Sequence, residues 1–302
     1  MYDFKRIYEP HSVEEILKMQ KEHPDAKLLA GGSDIFIQMR AGALAGIEAI
    51  SICGINELRG ISLNEEETIV ILPLTSFSHI EKNPIIKKYI PVLADAVGKM
   101  GGPQIRNIAT IGGNVCNGHT GADSASTLVA LDAEVELTSE SGKRVIPIQE
   151  FYKPSGGVDL KKGELLTRFL IPKEAYLNFY GAHYKYAMRN AMDVDVAGCS
   201  VNVKLSKDKT KIEDVRVAFG VMGPFPVRAR EAEEAVKGKE LTEDTLTLFA
   251  DLSVKNLKPR TDYRATGEFR THISHVMARQ TLTEAIGYAG GTIRGENYGD
   301  TV

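Results

Sequence analysis

Three pairs of adjacent glycines lie within the first 120 residues of this chain, at 31–32, 101–102 and 112–113. Glycine loses more conformational freedom on folding than any other residue, so paired glycines indicate a tight turn or a ligand that lies against bare backbone. In LLAGGSD (28–34) and TIGGNVCN (110–117) the pair follows an apolar entry and precedes small polar residues. Successive backbone N–H groups in such turns form a concave anion site, so the two loops together predict a site for the diphosphate of a dinucleotide.

The remaining pair, at 101–102, has a structural explanation. It follows a predicted helix that begins at Pro91, and Pro103 directly after the pair is expected to prevent that helix from continuing. We therefore expect a turn at this pair rather than a ligand.

The sequence lacks the established nucleotide-binding and nucleophile motifs. It contains no G-x-G-x-x-G, which excludes a Rossmann loop, and no G-x-x-x-x-G-K-[ST], which excludes a P-loop. The absence of G-x-S-x-G weighs against an α/β-hydrolase. A dinucleotide would therefore bind through another fold.

The elements that position the glycine loops alternate between strand and helix. Ser12 and Glu15 form a capping box before a helix, while Thr75 and Asp123 are expected to cap the helices that follow them. Strands are predicted at 26–30, 49–52, 61–63, 68–74, 134–139, 144–148 and 164–172. This alternation favours layers of helix on sheet.

The pattern changes near residue 175. Predicted strands at 183–188, 196–205 and 214–222 precede predicted helices at 229–237, 242–255 and 269–286. Strands followed by helices suggest a separate α+β domain. The expected domains are 1–175, split near 55–60 into two α/β subdomains, then 176–290, and then a tail at 291–302.

Composition and charge exclude several classes of partner. The 302-residue chain has a net charge of −3 with acidic and basic residues mixed along it, so we expect neither nucleic acid nor anionic lipid as a partner. No apolar run is long enough for a signal peptide or for a membrane span.

The thiol and imidazole groups argue against a metal site on this chain. The three cysteines, Cys53, Cys116 and Cys199, are too few for a four-cysteine iron–sulfur cluster and too scattered for a disulfide framework. This usage fits the reducing cytoplasm. His272 and His275 have ligand-like spacing on a predicted helix, but no third ligand stands nearby, and we expect no metal.

Four motifs in order carry a family resemblance: LLAGGSD, PQIRNIATIGGNVCNG, ADSAS and HYKYAMRNAMDVDVAG. Together they resemble the FAD-binding subunit of molybdenum hydroxylases, most closely that of bacterial xanthine dehydrogenases, over residues 2–290. The resemblance implies an α+β chain. A two-subdomain FAD-binding fold of the PCMH type, rather than a Rossmann fold, would precede a C-terminal α+β domain of antiparallel strands and helices.

The resemblance also implies which residues bind FAD, without a covalent bond. The two glycine loops would enclose the diphosphate, and Met100 stands where some relatives carry a phenylalanine that packs on the cofactor. Arg189 and Asp193 lie in a segment that is beside the flavin in relatives, and we expect them to tune its field. The full implied set is Leu28, Leu29, Ala30, Gly31, Gly32, Ser33, Asp34, Ile35, Met100, Thr110, Ile111, Gly112, Gly113, Asn114, Asp123, Leu166, Lys185, Arg189 and Asp193.

The chemistry implied by the resemblance is electron transfer, with no catalytic side chain on this chain. A partner subunit with the molybdenum cofactor would oxidise the substrate, and a partner with [2Fe–2S] clusters would relay electrons to FAD here. NAD would then accept a hydride. The expected assembly is a cytoplasmic heterotrimer, alone or dimerised, that serves purine metabolism.

Three alternatives remain open from the sequence. The chain could be the FAD subunit of a carbon monoxide, nicotinate or aldehyde dehydrogenase, which have similar subunits. It could be a stand-alone flavin reductase, which would need an acid or a nucleophile at the flavin. It could be a non-enzymatic module that binds another nucleotide through the glycine loops.

Overall fold

The chain is described here by a computed structural model over residues 3–154 and 157–294. Most of the predicted tail, residues 295–302, lies outside this part of the chain. The strands are β1 Phe4–Tyr8, β2 Lys27–Leu29, β3 Ile47–Ser51, β4 Ile61–Leu63, β5 Ile69–Ile71, β6 Glu134–Ser139, β7 Gly142–Pro147, β8 Leu165–Ile171, β9 Tyr180–Tyr186, β10 Ala197–Leu205, β11 Ile212–Gly220 and β12 Val227–Arg228.

Short helices connect the strands in the first half of the chain, and longer helices follow the last strands. The helices are α1 Val13–Glu22, α2 Ile35–Arg40, α3 Phe77–Lys82, α4 Pro84–Tyr89, α5 Pro91–Gly98, α6 Pro103–Ile108, α7 Ile111–Cys116, α8 Ala125–Ala130, α9 Ile148–Phe151, α10 Lys173–Tyr176, α11 Arg230–Val236, α12 Glu243–Val254 and α13 Gly267–Tyr288. None of the described helices combines the length and the apolar character needed to cross a bilayer.

Two sheets make up the first half of the chain. The first is parallel, in the order β1-β3-β2, and β2 runs directly into the first glycine loop. The second is antiparallel, in the order β4-β5-β8-β6-β7. Its core is built on the fully buried rings of Phe77, Phe151 and Phe169.

The third sheet is antiparallel, in the order β12-β11-β10-β9, and its two faces differ in chemistry. Side chains alternate across a strand, so every second residue of β9 and β10 shares a face. One face is apolar, includes Cys199 and Val201, and packs on α11 and α13, which α12 covers in turn. The other face carries small or polar residues and packs against α5 and α8; here His183 lies opposite Ser200, and Lys185 lies opposite Gly198.

Ion pairs join the third sheet to the rest of the chain. Arg216 on β11 lies 3.1 Å from the carboxylate of Asp132 and donates to the carbonyl oxygen of Ala175 at 3.0 Å. Arg228 on β12 contacts the same aspartate. These directional contacts fix the position of the third sheet against the rest of the chain, which apolar burial alone would not do.

Several local predictions can be compared with the structure. The capping box is confirmed at its first contact, since Ser12 Oγ accepts from the Glu15 N–H at 3.1 Å. The caps predicted at Thr75 and Asp123 are wrong. Ser76 caps α3, because Thr75 instead exchanges two hydrogen bonds with the backbone of Gly60 at 3.0 Å.

Two further local findings refine the sequence interpretation. Asp123 precedes Ser124, the N-terminal boundary residue of α8, and its carboxylate turns to an ion pair instead of the helix. Pro103 does not only end a helix, because it is the first residue of α6. The predicted limits at 55–60 and 175 stay predictions.

Arg270 on α13 offers a test of the buried polar contacts. It is fully buried, and it donates to the Val196 carbonyl at 3.0 Å and to Asp262 at 2.7 Å. Replacing it with Met should lower the free energy of unfolding by about 3 kcal/mol, because the Val196 carbonyl and the Asp262 carboxylate each lose a buried donor. Urea denaturation measures this loss.

The matched control is Arg168→Met, whose side chain is half exposed and lies 3.7 Å from Glu136. Its loss should stay below about 1 kcal/mol. Equal losses for the two variants would contradict the importance given to Arg270.

Candidate functional site

A cavity of about 570 Å³ lies between the first glycine loop, the start of α7 and the start of β8. Its walls bring together residues from both glycine loops, as the sequence predicts. The predicted site residues that line it are Leu28, Ala30, Gly31, Gly32, Ser33, Asp34, Ile35, Met100, Thr110, Gly112, Gly113, Asn114 and Leu166.

The first glycine loop presents free backbone N–H groups. The N–H groups of Gly31, Gly32, Ser33 and Asp34 donate to no acceptor within residues 3–154 and 157–294. Gly31 is required by close packing, because a Cβ there would lie 1.9 Å from the carbonyl oxygen of Ile108. Gly32 has a φ of +72°, a backbone conformation that other residues rarely adopt.

The second glycine loop is the first turn of a helix and not an open nest. Thr110 is the N-cap of α7, and its hydroxyl accepts from the Gly113 N–H at 3.2 Å. The N–H of Ile111 donates to the carbonyl of Thr75, and that of Gly112 to the carbonyl of Pro73. The expectation of two amide nests is therefore corrected: in this geometry the first loop alone offers a run of free amides.

The two glycines of the second loop have different surroundings. A Cβ on Gly112 would lie 2.5 Å from the Cβ of Pro73 and 2.8 Å from its carbonyl oxygen. A Cβ on Gly113 would meet only the Thr110 hydroxyl, at 3.0 Å, and Gly113 is exposed toward the cavity. Gly112 therefore allows two backbone segments to pack, whereas Gly113 leaves space open.

An apolar wall closes the other side of the cavity. Met100 and Leu166 are both buried and line it, so the methionine lies where the resemblance implies. Leu160 and Leu165 line it as well, although sequence reasoning missed them. Leu165 directly precedes Leu166 at the start of a predicted strand, which is a signal that could have indicated it; Leu160 lies in an irregular segment without such a signal.

Two predicted site residues are buried beside the cavity and do not line it. Leu29 is 7% exposed, and Ile111 is completely buried in the core of the second sheet. Leu29 lies between Leu28 and Ala30 in an extended segment, so its side chain points to the opposite face.

Three charged residues form a second group, which we name the Lys185 triad: Asp123, Lys185 and Asp195. The ammonium of Lys185 lies 2.5 Å from Asp123 Oδ1 and 2.9 Å from Asp195 Oδ1. None of the three lines the cavity, yet Ser124 donates to the cavity-lining Asn114 at 2.7 Å. The triad is therefore linked to the second glycine loop through the residue next to Asp123.

Burial and charge act in opposite directions on this triad. Burial alone would lower the pKa of Lys185, but the carboxylates of Asp195 and then Asp123 more than offset this and raise it. Burial raises the pKa of Asp123 despite the nearby ammonium. Burial, and then the charge of Asp123, raise the pKa of Asp195 to about 7.

Arg189 and Asp193 lie outside both groups, on the exposed segment after β9. The Arg189 side chain is 67% exposed, and its guanidinium donates to the Met192 carbonyl at 2.6 Å. Asp193 accepts from the Arg189 N–H at 3.0 Å. This segment contacts the glycine pair at 101–102, since the Met192 N–H donates to the Gly101 carbonyl oxygen at 3.2 Å. The two charges thus shape this loop.

The sulfur and imidazole groups near the site are not arranged for chemistry. Cys116 lines the cavity, and burial raises the pKa of its thiol to about 12, so the reactive thiolate is suppressed. Burial also lowers the pKa of His119, which accepts a hydrogen bond from the Gly121 N–H. Within the part of the chain that the structure describes, no three His, Cys, Asp or Glu side chains are grouped to hold a metal ion.

Two known protein families match this chain in succession. Residues 2–174 match the family described as the FAD binding domain in molybdopterin dehydrogenase. Residues 182–285 match the CO dehydrogenase flavoprotein C-terminal domain.

Individual relatives are similar along their whole length. The putative xanthine dehydrogenase FAD-binding subunit of Escherichia coli is 36% identical, over 97% of this chain and 100% of the relative. The glyceraldehyde dehydrogenase medium chain of Sulfolobus acidocaldarius is 31% identical, over 90% of this chain and 95% of the relative.

A solved structure extends the similarity to the fold. A chain of carbon monoxide dehydrogenase from Hydrogenophaga pseudoflava superposes with a TM-score of 0.89, at 28% identity, covering 95% of this chain and 98% of that chain. The predicted fold class, a PCMH-type FAD-binding fold followed by a C-terminal α+β domain, is confirmed.

The cysteines provide a test of the site's chemistry. Cys53 is exposed, whereas burial raises the pKa of both Cys116 and Cys199 to about 12. In the native chain at pH 8, a thiol-reactive disulfide should label Cys53 rapidly and the other two at least tenfold more slowly. The Cys53→Ser variant should lose the fast phase and Cys116→Ser should keep it. A fast phase that depends on Cys116 would show a reactive thiol in the cavity.

Proposed function

The chain belongs to the family of FAD-binding subunits of molybdopterin dehydrogenases, and on this premise we propose that it is the electron-transfer subunit of a xanthine dehydrogenase-like molybdenum hydroxylase. It receives electrons from the [2Fe–2S] clusters of one partner, while a second partner with the molybdenum cofactor oxidises the substrate. It passes them to NAD as a hydride. The assembly is a heterotrimer in the cytoplasm, alone or dimerised.

The observation that carries this proposal is the cavity between the glycine loops. Its first loop offers four adjacent N–H groups that find no acceptor among the described residues, which suits the oxygen atoms of a diphosphate. Its opposite wall is apolar and includes Met100 and Leu166, which suits the ring system of a cofactor. The residues present therefore fit FAD.

The predicted contacts divide between the two halves of this site. The first loop, Leu28 to Ile35, holds the diphosphate by backbone donors, and Asp34 is kept in place because its carboxylate accepts a hydrogen bond from Gln38. The second loop supplies an unobstructed surface at Gly113 and the side chain of Asn114. Asp123 and Lys185 lie beside the cavity without lining it, and they act on the cofactor through their charge from the side of the third sheet.

FAD, when bound, supplies the redox chemistry that links one-electron donors to a two-electron acceptor. The chain's own residues bind it, orient it and set its electrostatic surroundings. The ammonium of Lys185 favours negative charge nearby, and the carboxylates of the triad oppose it. No general acid or nucleophile is needed for this role.

The substrate class is proposed from similarity alone. Identity is 36% to the putative xanthine dehydrogenase subunit, against 29% to a carbon monoxide dehydrogenase medium chain and 32% to a nicotinate dehydrogenase FAD-subunit. This order favours a purine over carbon monoxide, nicotinate or an aldehyde. A stand-alone flavin reductase is disfavoured, because the cavity wall among the described residues carries no catalytic acid–base pair.

The two glycines of the second loop give a sharp binding test. Replacing Gly113 with Val should fill the open side of the cavity and weaken FAD binding at least 100-fold, while the melting temperature of the apoprotein stays within a few degrees. Replacing Gly112 with Ala should instead destabilise the fold, since its Cβ would meet the backbone of Pro73. Fluorescence titration with FAD and thermal unfolding separate the two effects. An unchanged affinity of Gly113→Val for FAD would show that FAD does not bind in this cavity.

The function itself is tested by isolation and reconstitution. The purified chain should carry flavin absorbance near ~450 nm, released by acid because the cofactor is not covalently attached. Added to its two partner subunits, it should support NAD reduction by a purine, and the apoprotein should not. Activity with carbon monoxide, nicotinate or an aldehyde would reassign the substrate class. Turnover without partners, or a chain that takes up no FAD, would contradict the proposal.

A further inference from the structure

Asp195 is the most enclosed member of the Lys185 triad, and sequence reasoning did not single it out. Its side chain is 4% exposed, against 9% for Lys185 and 13% for Asp123. Asp195 Oδ1 receives no well-aligned hydrogen bond from the described residues, and its ion-pair partner is the Lys185 ammonium at 2.9 Å. Lys185 is therefore the group that Asp195 is arranged to meet.

The strand register provides the space for this carboxylate. Lys185 on β9 pairs with Gly198 on β10. A Cβ on Gly198 would lie 2.9 Å from Asp195 Oδ2, so a residue with a side chain at this position would displace the carboxylate. The site is also closed from α13, because Arg270 donates to the carbonyl of Val196, the residue after Asp195.

The charges of the triad do not balance. Two carboxylates surround one ammonium, so the group carries a net charge of minus one when all three are ionised. Asp193 adds a further negative field from the same loop. Burial, and then the charge of Asp123, therefore raise the pKa of Asp195 to about 7.

This carboxylate lowers the stability of the fold near neutral pH. An acid whose pKa is raised in the folded chain binds more protons there than in the unfolded chain, where the value is about 3.9. The resulting stability is complete below about pH 4 and is lost as the pH rises through about 7. An asparagine of the same shape would avoid this loss, so an aspartate at this buried position points to a role for its charge.

We propose that Asp195 is a positioning residue, whose carboxylate holds the Lys185 ammonium in place and gives the triad a net negative charge that makes bound FAD harder to reduce. The inference rests on the proposed function in one respect, since Asp123 and Lys185 must adjoin the cofactor. It assigns to the buried Asp195 the electrostatic role that the sequence suggested for the more exposed Arg189 and Asp193.

The first experiment needs no cofactor. The Asp195→Asn variant and the wild-type apoprotein are melted between pH 5 and pH 8. The wild-type melting temperature should fall across this range, in part because Asp195 ionises. The variant cannot ionise there, so its fall should be smaller, and it should be at least as stable as wild type at pH 8. If the variant is less stable than wild type by the same amount at every pH, the side chain of Asp195 contributes only through packing, and the proposal is overturned.

The control is Asp132→Asn, which removes a carboxylate from the other ionic cluster of the third sheet, where it pairs with Arg216. Asp132 has a φ of +46°, which asparagine tolerates. This variant should lose stability and retain the wild-type dependence on pH.

The second experiment measures the midpoint potential of the FAD-loaded full chain. Asp195→Asn should shift it upward at pH 8, and the difference from wild type should shrink at pH 6, where the wild-type carboxyl is largely protonated. Asp132→Asn should leave it unchanged. Bound FAD with an unaltered potential in Asp195→Asn would overturn the electrostatic role. Wild-type chain that takes up no FAD would contradict the proposed function and this role alike, while the melting curves still decide whether Asp195 holds the charge of Lys185.

Discussion

Two close contacts between backbone segments hold the cavity in shape, and the rest of the site depends on them. Gly31 packs against the carbonyl of Ile108, and Gly112 packs against Pro73. Each contact is possible only without a side chain, and each joins a glycine loop to a segment of the second sheet's layer. The first role of these glycines is therefore to let backbone segments of the protein pack closely. By drawing the loops together, they bring the free amides of the first loop and the open surface at Gly113 to the same cavity.

The third sheet adds charge to this arrangement because only one of its faces is apolar. The face toward α11 and α13 forms a core, and the face toward α8 carries small and polar residues. A polar interface gains little from burial alone, so its geometry is fixed by directional contacts such as Arg216 with Asp132. The same face presents Lys185. The sheet thus places the Lys185 ammonium against Asp123, whose neighbour Ser124 contacts Asn114 of the second glycine loop.

Local sequence signals predicted what is determined locally. The strands and helices after residue 180 lie close to their predicted positions, and the capping box at Ser12 forms. The errors arise where a distant partner competes. Asp123 was expected to cap α8, but its carboxylate pairs with Lys185, which is 62 positions away. The free amides expected in the second loop are occupied by Pro73 and Thr75. The sequence does not distinguish Asp193 from Asp195. Only the fold shows that Asp195 is the one buried beside Lys185.

A division of labour explains why an oxidoreductase subunit carries so few reactive side chains. Where the substrate is oxidised on another subunit, this chain has only to bind a cofactor and set how readily it accepts electrons. Backbone amides are suited to the first task, because their charge does not change with pH. Buried ionisable groups are suited to the second, because burial amplifies each charge. The two tasks are kept apart in space yet connected, since Ser124 joins the loop of Asn114 to Asp123.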